Sequence, residues 1–208
     1  DIITNSKFDK NHLLQLVASA ENGSEHPLGE AIVKQAIDLK LKLLDIKNFE
    51  SVTGYGIKAF IESFEVLIGN LSFMQKESIL LDNMQEKANI LANEGKTPMF
   101  VAINNEIAGI IAVSDVVKDG SKKAIEKLKN MGIKVVMITG DNKLTAEAIA
   151  KKVGITNVLS QVLPQDKSKE IENLKSRGEK VIMVGDGIND APALVKADVG
   201  IAIGSGTD

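Results

Sequence analysis

From Ile107 onward the chain alternates short apolar runs with amphipathic stretches, and this alternation restricts its fold more than any other feature. Ile107–Val113, Lys134–Ile138, Val158–Val162, Val181–Val184 and Val199–Ile203 read as buried strands. Ser121–Asn130, Lys143–Val153, Lys167–Lys175 and Ala191–Lys196 read as helices between them. Strands that alternate with helices imply right-handed crossovers and a parallel sheet covered on both faces. In such an α/β sheet, ligands bind beyond the carboxyl ends of the strands.

Three segments follow strands and converge on that edge. They are Thr139-Gly140-Asp141, Leu163-Pro164-Gln165-Asp166-Lys167 and Gly185-Asp186-Gly187-Ile188-Asn189-Asp190. Singly, each has an ordinary explanation: Thr139 as a cap, Asp141 as a turn residue, Lys167 as a solvated lysine, Asp190 as the cap of a helix opening Ala-Pro. Together they suit phosphoryl transfer. Asp186 and Asp190 are hard oxygen ligands for Mg²⁺. Thr139 and the amides near Gly140 suit phosphoryl oxygens, and Lys167 suits the charge on a transferring group, in a reaction governed by positioning and electrostatics.

The first half has another rhythm. Asn11–Ala20, Leu28–Leu44 and Leu81–Ala92 carry helical spacing, and Pro27 suits a first helical position. Lys47–Gly69 breaks into strand-like runs with glycines, and two apolar runs around Asn104-Asn105 read as a hairpin. This half is α+β with an antiparallel sheet. The expected division is residues 1–111 and 112–208, with no Pro- or Ser-rich linker between them. His26 alone reads as a cap or surface residue, and His12 as a surface residue. Gly54-Tyr55-Gly56 is a weak signal by itself, although glycine lets backbone approach a ligand closely.

Composition removes whole classes of function. A net charge of −3 and 3% aromatics argue against a nucleic-acid partner, which needs a basic field or stacking platforms. The lack of cysteine excludes disulfides, thiolate metal sites and a cysteine nucleophile within these residues. No run approaches the roughly 18 apolar residues of a membrane span.

The segments MITGDNKLTAEAIAKKVGI, VLPQDKSKEIENLK and VIMVGDGINDAPALVKADVGIAI resemble the phosphorylation domain of P-type ATPases, in the haloacid-dehalogenase superfamily. Glu21 followed by Ser24-Glu25-His26-Pro27-Leu28 resembles the nucleotide-domain signature of the heavy-metal-transporting subgroup, its copper branch above all. Gly54-Tyr55-Gly56 and Ile68-Gly69-Asn70 match that domain's glycine-rich contacts.

The resemblance implies a Rossmann-like haloacid-dehalogenase-type domain beside a nucleotide-binding domain, with ATP and Mg²⁺ as ligands. By its terms Glu21 and His26 contact adenine, and Gly54, Gly56, Gly69 and Asn70 line the nucleotide site. Thr139 and Gly140 hold the phosphoryl group, Asp141 helps orient the nucleotide, and Lys167 balances charge. Asp186 binds Mg²⁺ directly, and Asn189 and Asp190 complete that site. The implied setting is the cytoplasmic part of a membrane pump, with actuator and transmembrane domains and a metallochaperone as partners.

The sequence departs from that pattern in two places. The DKTGT motif that carries the family's aspartyl nucleophile is absent from these residues, and Asp1 is not followed by Lys-Thr-Gly. The resemblance therefore implies a segment of a longer protein whose parallel sheet, lacking a central strand, exposes apolar surface. Val116 stands where many relatives have proline after Asp115, a site-flanking position. Two other readings remain at this stage: a soluble phosphatase with residues 1–111 as its cap, and a module that binds nucleotide without turnover.

Overall fold

The computed structural model describes residues 1–24, 27–114, 117–185 and 190–203. Expected positions Glu25, His26, Asp115, Asp186 and Asn189 lie outside that set. Two compact units divide the chain, Asp1–Lys118 and Asp119–Asp208.

The first unit is built on a six-stranded antiparallel sheet in the order β1-β6-β5-β4-β3-β2. Its strands are β1 (Ile2–Thr4), β2 (Ile46–Val52), β3 (Gly56–Ile61), β4 (Phe64–Gly69), β5 (Thr97–Ile103) and β6 (Glu106–Val113). Alternate side chains point to opposite faces of a strand. Val66 and Ile68 therefore pack with Leu13, Leu16 and Val17 of α1 (Lys10–Glu21) and Ile32 of α2 (Pro27–Asp38). Leu67 joins the other cluster, with Phe73 and Met74 of α3 (Leu71–Lys76) and Met84 and Leu91 of α4 (Met84–Asn93). The β5–β6 hairpin turns on Asn104 and Asn105, both with positive φ (49° and 65°), the geometry tight hairpins favour.

Three sequence readings need correction here. The helix expected over Leu28–Leu44 ends at Asp38. Lys40 takes φ 58°, its N–H donates to Ile37 O, and the Leu41 N–H donates to Ala36 O. That pair of bonds is a Schellman stop with lysine in the position glycine usually fills. Leu41, Leu43 and Leu44 then reach the first core cluster from extended chain. Ile107–Val113, read as the first of the alternating strands, belongs to the antiparallel sheet: β6 pairs with β5 and with β1. The expected boundary after residue 111 therefore falls inside β6. The run Val158–Val162 shortens to β8 (Asn157–Leu159), because Gln161 adopts φ 58° and leaves the ladder.

The second unit follows the expected strand–helix alternation: α5 (Ser121–Asn130), β7 (Val136–Ile138), α6 (Lys143–Val153), β8, α7 (Lys167–Ser176), β9 (Ile182–Gly185), α8 (Ala191–Lys196) and β10 (Val199–Ala202). A 3₁₀ turn, Pro164–Asp166, leads into α7. Asn142 caps α6 by accepting the Thr145 N–H, and Gly154 closes it with φ 83°. Among the described residues of this unit all strand pairing is parallel, in two separate ladders, β7–β8 and β9–β10. Ile182, Val184, Val199 and Ile201 are each about half exposed. Among the described residues no helix is long and apolar enough to cross a membrane.

Candidate functional site

In the second unit the carboxyl ends of β7, β8 and β9 carry the polar residues. Thr139 follows β7 directly. Its Oγ1 donates to Asp141 Oδ2 at 2.8 Å and accepts the Asp141 N–H at 3.1 Å, so hydroxyl and carboxylate fix one another across Gly140. The segment after β8 clasps this loop from outside. Thr139 N–H donates to Leu159 O, Gln161 N–H to Asp141 O and Val162 N–H to Thr139 O, at 2.9, 2.9 and 3.0 Å. Gly140 is exposed, and a Cβ there would meet only Val162 O at 3.6 Å, an ordinary contact. Packing within the described residues therefore does not require glycine at this position.

Lys167 opens α7 and reaches across to the start of α8, where its Nζ donates to Asp190 Oδ1 at 2.7 Å. Asp190 is buried and does not cap α8 with its side chain. The cap expected from the Asp-Ala-Pro sequence is replaced by this ion pair. Gly185, the last residue of β9, accommodates Asp190: a Cβ at Gly185 would lie 2.7 Å from both Asp190 Cβ and Oδ2. Asp186 and Asn189, the other expected metal ligands, lie outside the described residues. Among the described residues no three His, Asp or Glu side chains cluster to hold a metal.

The first unit brings Gly54, Gly56, Gly69 and Asn70 together. Gly56 pairs with Gly69 across β3 and β4. A Cβ on Gly56 would run into Ile68 O, and one on Gly69 into Tyr55 O. Glycine is required at these two positions by backbone packing alone. Asn70 caps α3, its Oδ1 accepting the Phe73 N–H at 2.9 Å, while its Nδ2 donates to Gly54 O at 2.8 Å.

Glu21 ends α1 and is 6% exposed. Burial pushes its carboxyl above the usual carboxylate range, and a hydrogen bond with Ser24 opposes that shift in part. Gly29, one turn into α2, makes room for it, since a Cβ there would lie 2.5 Å from Glu21 Oε2. Sequence reasoning missed Gly29. The available signal was a glycine inside a helix, which costs about 1 kcal/mol against alanine and so points to a packing demand. His12, read as a surface residue, is half-buried and sets its ring 5.7 Å from Phe64.

Comparison with known proteins gives a consistent answer. Residues 2–198 match the haloacid dehalogenase-like hydrolase family. The chain is 52% identical over 199 residues to a copper-exporting P-type ATPase of Staphylococcus epidermidis, covering 95% of this chain and 25% of that protein. A copper-exporting P-type ATPase of Bacillus subtilis is 48% identical over 212 residues, covering 100% of this chain and 26% of that protein. The chain thus spans about a quarter of the length of the curated relatives it matches. Among solved structures, the catalytic domain of the CPx-ATPase CopB-B superposes with a TM-score of 0.72 at 31% identity, over 100% of this chain and 72% of that one. A zinc-transporting PIB-type ATPase in its E2.Pi state gives 0.63 at 36% identity, over 100% of this chain and 33% of that one. This chain belongs to the haloacid dehalogenase-like hydrolase family, in its P-type ATPase branch.

Proposed function

We propose that the chain is the ATP-binding and phosphoryl-transfer segment of a P-type ATPase that exports a heavy-metal ion, copper by the names of its relatives. The observation that carries the reading is Gly140, a glycine that packing does not demand, held beside Thr139 and Asp141 at the carboxyl end of a parallel strand. Such a loop offers a hydroxyl, and the exposed Gly140 lets phosphoryl oxygens come close to its backbone.

In this reading the first unit holds the nucleotide. Glu21 accepts a hydrogen bond from the exocyclic amine of adenine, with His26 as a second contact. The turn at Gly54–Gly56, with Gly69 and Asn70, offers backbone to the ligand. In the second unit Thr139 and Gly140 bind the phosphoryl group, and Asp141 fixes the Thr139 hydroxyl. Lys167 compensates charge as the group moves to an aspartate contributed from outside these residues. Asp186, Asn189 and Asp190 are hard oxygen donors of the kind that would hold Mg²⁺, which when bound would neutralise phosphate charge. The segment lies on the cytoplasmic side of the membrane, and its partners are the actuator and transmembrane domains, with a metallochaperone as a partner of the whole pump.

Calorimetric titration with ATP, with and without Mg²⁺, tests this reading. Wild type is expected to bind, and Glu21→Ala and His26→Ala to bind at least about tenfold more weakly, the loss of one well-formed hydrogen bond. Folded protein that ignores ATP, or binding indifferent to both substitutions, overturns the reading.

A further inference from the structure

Asn70 sits where two chain reversals meet. The first is the turn from β2 to β3, closed by the Tyr55 N–H donating to Val52 O at 2.9 Å, with Gly54 at φ 79°. The second is the junction of β4 with α3. Three bonds of Asn70 join them. Its backbone N–H donates to Tyr55 O at 3.0 Å, its Nδ2 to Gly54 O at 2.8 Å, and its Oδ1 accepts the Phe73 N–H at 2.9 Å. The side-chain amide is therefore held at both ends, by the turn and by the helix start. The ring of Tyr55 follows from this arrangement. It lies 6.3 Å from the Phe73 ring, and the Lys76 ammonium stands 4.9 Å from its centroid. Gly56 and Gly69 bring the two backbones too close for any Cβ between them.

We infer that Asn70 is a positioning residue, one that shapes the Gly54–Gly56 turn for the nucleotide and does not itself touch the ligand. The inference rests on the proposed nucleotide reading of the first unit and changes the role that the resemblance assigns to Asn70. A side chain committed at both ends to the protein's own backbone is a poor ligand contact, because turning to the ligand would break bonds already made. The same bonds preorganise the turn, so that little ordering remains to be done on binding.

The chain has one tyrosine and no tryptophan, so its intrinsic emission reports Tyr55 alone. The test is Asn70→Ser in the full 208-residue chain. Serine still caps α3 but is too short to reach Gly54 O. Acrylamide quenching of Tyr55 in the nucleotide-free protein is expected to rise about twofold, and ATP affinity to fall about tenfold, the scale of one lost hydrogen bond. Asn70→Asp keeps the shape and the cap oxygen but replaces the donor with a charged carboxylate oxygen that repels Gly54 O, and it is expected to raise quenching as well. A melting curve identifies any variant that has merely unfolded, and simple destabilisation leaves the affinity of the folded fraction unchanged. Weaker binding with unchanged quenching means that Asn70 touches the nucleotide, which overturns the inference. Raised quenching with unchanged affinity removes the turn from the site and also overturns it. A wild type that binds no ATP refutes the wider reading separately, while quenching of the nucleotide-free variants still decides whether Asn70 holds the turn.

Discussion

Lys167 and Asp190, the first residue of α7 and the residue before α8, form an ion pair of 2.7 Å with side chains 19% and 11% exposed. Two charges this far from water stay only as a pair, because removing one leaves the other buried and uncompensated. The pair ties α7 to the start of α8, so it positions the lysine that the proposed chemistry needs. Asp190→Asn is expected to cost roughly 1–2 kcal/mol, below the figure for a fully buried pair because some water still reaches it. Lys167→Met combined with Asp190→Asn should cost less than the two single changes summed, with a coupling of about 0.5–2 kcal/mol. Urea unfolding of the four proteins measures this, and strictly additive effects would show that the pair carries no energy of its own.

The glycines separate into two kinds, and alanine substitution distinguishes them. Gly69→Ala would drive a methyl into Tyr55 O and the Phe73 ring, so it is expected to destabilise by roughly 1–3 kcal/mol, as overpacked sites do. Gly140→Ala meets nothing closer than Val162 O at 3.6 Å. Its stability should stay within about 0.5 kcal/mol of wild type, while it obstructs the approach of a phosphoryl group. Thermal melts with ATP titrations check both expectations. A Gly140→Ala protein that melts early would return this glycine to a structural role.

What the sequence made readable follows from the range of the interactions involved. Asn104-Asn105 announced the hairpin because both residues tolerate the positive φ a tight turn needs. Thr139-Gly140-Asp141 was legible because a polar triplet after an apolar run marks the end of a strand. The end of α2 was not legible, since Leu39, Leu41, Leu43 and Leu44 keep an apolar pattern while Lys40 stops the helix through its backbone. β1 and α3 were missed because three and six residues are too few to show a period. The Lys167–Asp190 pair and the clasp of Gln161 and Val162 on the Thr139 loop were also hidden. The first joins residues 23 apart, and the second uses backbone groups that every residue has.

The buried carboxyl of Glu21 predicts a pH dependence of defined sign. Its pKa is raised in the folded chain, chiefly by desolvation. The folded state therefore holds this proton to higher pH than the unfolded state does. Below the unfolded pKa Glu21 is neutral in both states and costs nothing. As the pH rises through the unfolded and then the folded pKa, stability falls. Glu21→Gln lacks the titration, so its stability should decline less than that of wild type over this window. Urea midpoints from pH 4 upward, on the order of the ordinary carboxylate range, test it, and parallel curves for the two proteins would rule out a perturbed Glu21.

Lys40 carries the last prediction. At φ 58° it occupies the left-handed region, which costs a residue with a Cβ roughly 1–2 kcal/mol. The side chain is exposed and forms no part of the core. The stop itself depends on backbone bonds, Lys40 N–H to Ile37 O at 2.8 Å and Leu41 N–H to Ala36 O at 2.9 Å, which glycine keeps. Lys40→Gly should relieve the strain and lose part of that gain to the greater freedom of glycine in the unfolded chain, for a net stabilisation of about 0.5–1 kcal/mol. Lys40→Ala retains the Cβ and should leave stability near wild type. Equal melting temperatures for the glycine and alanine variants would mean that the strain at this helix end is not there to be released.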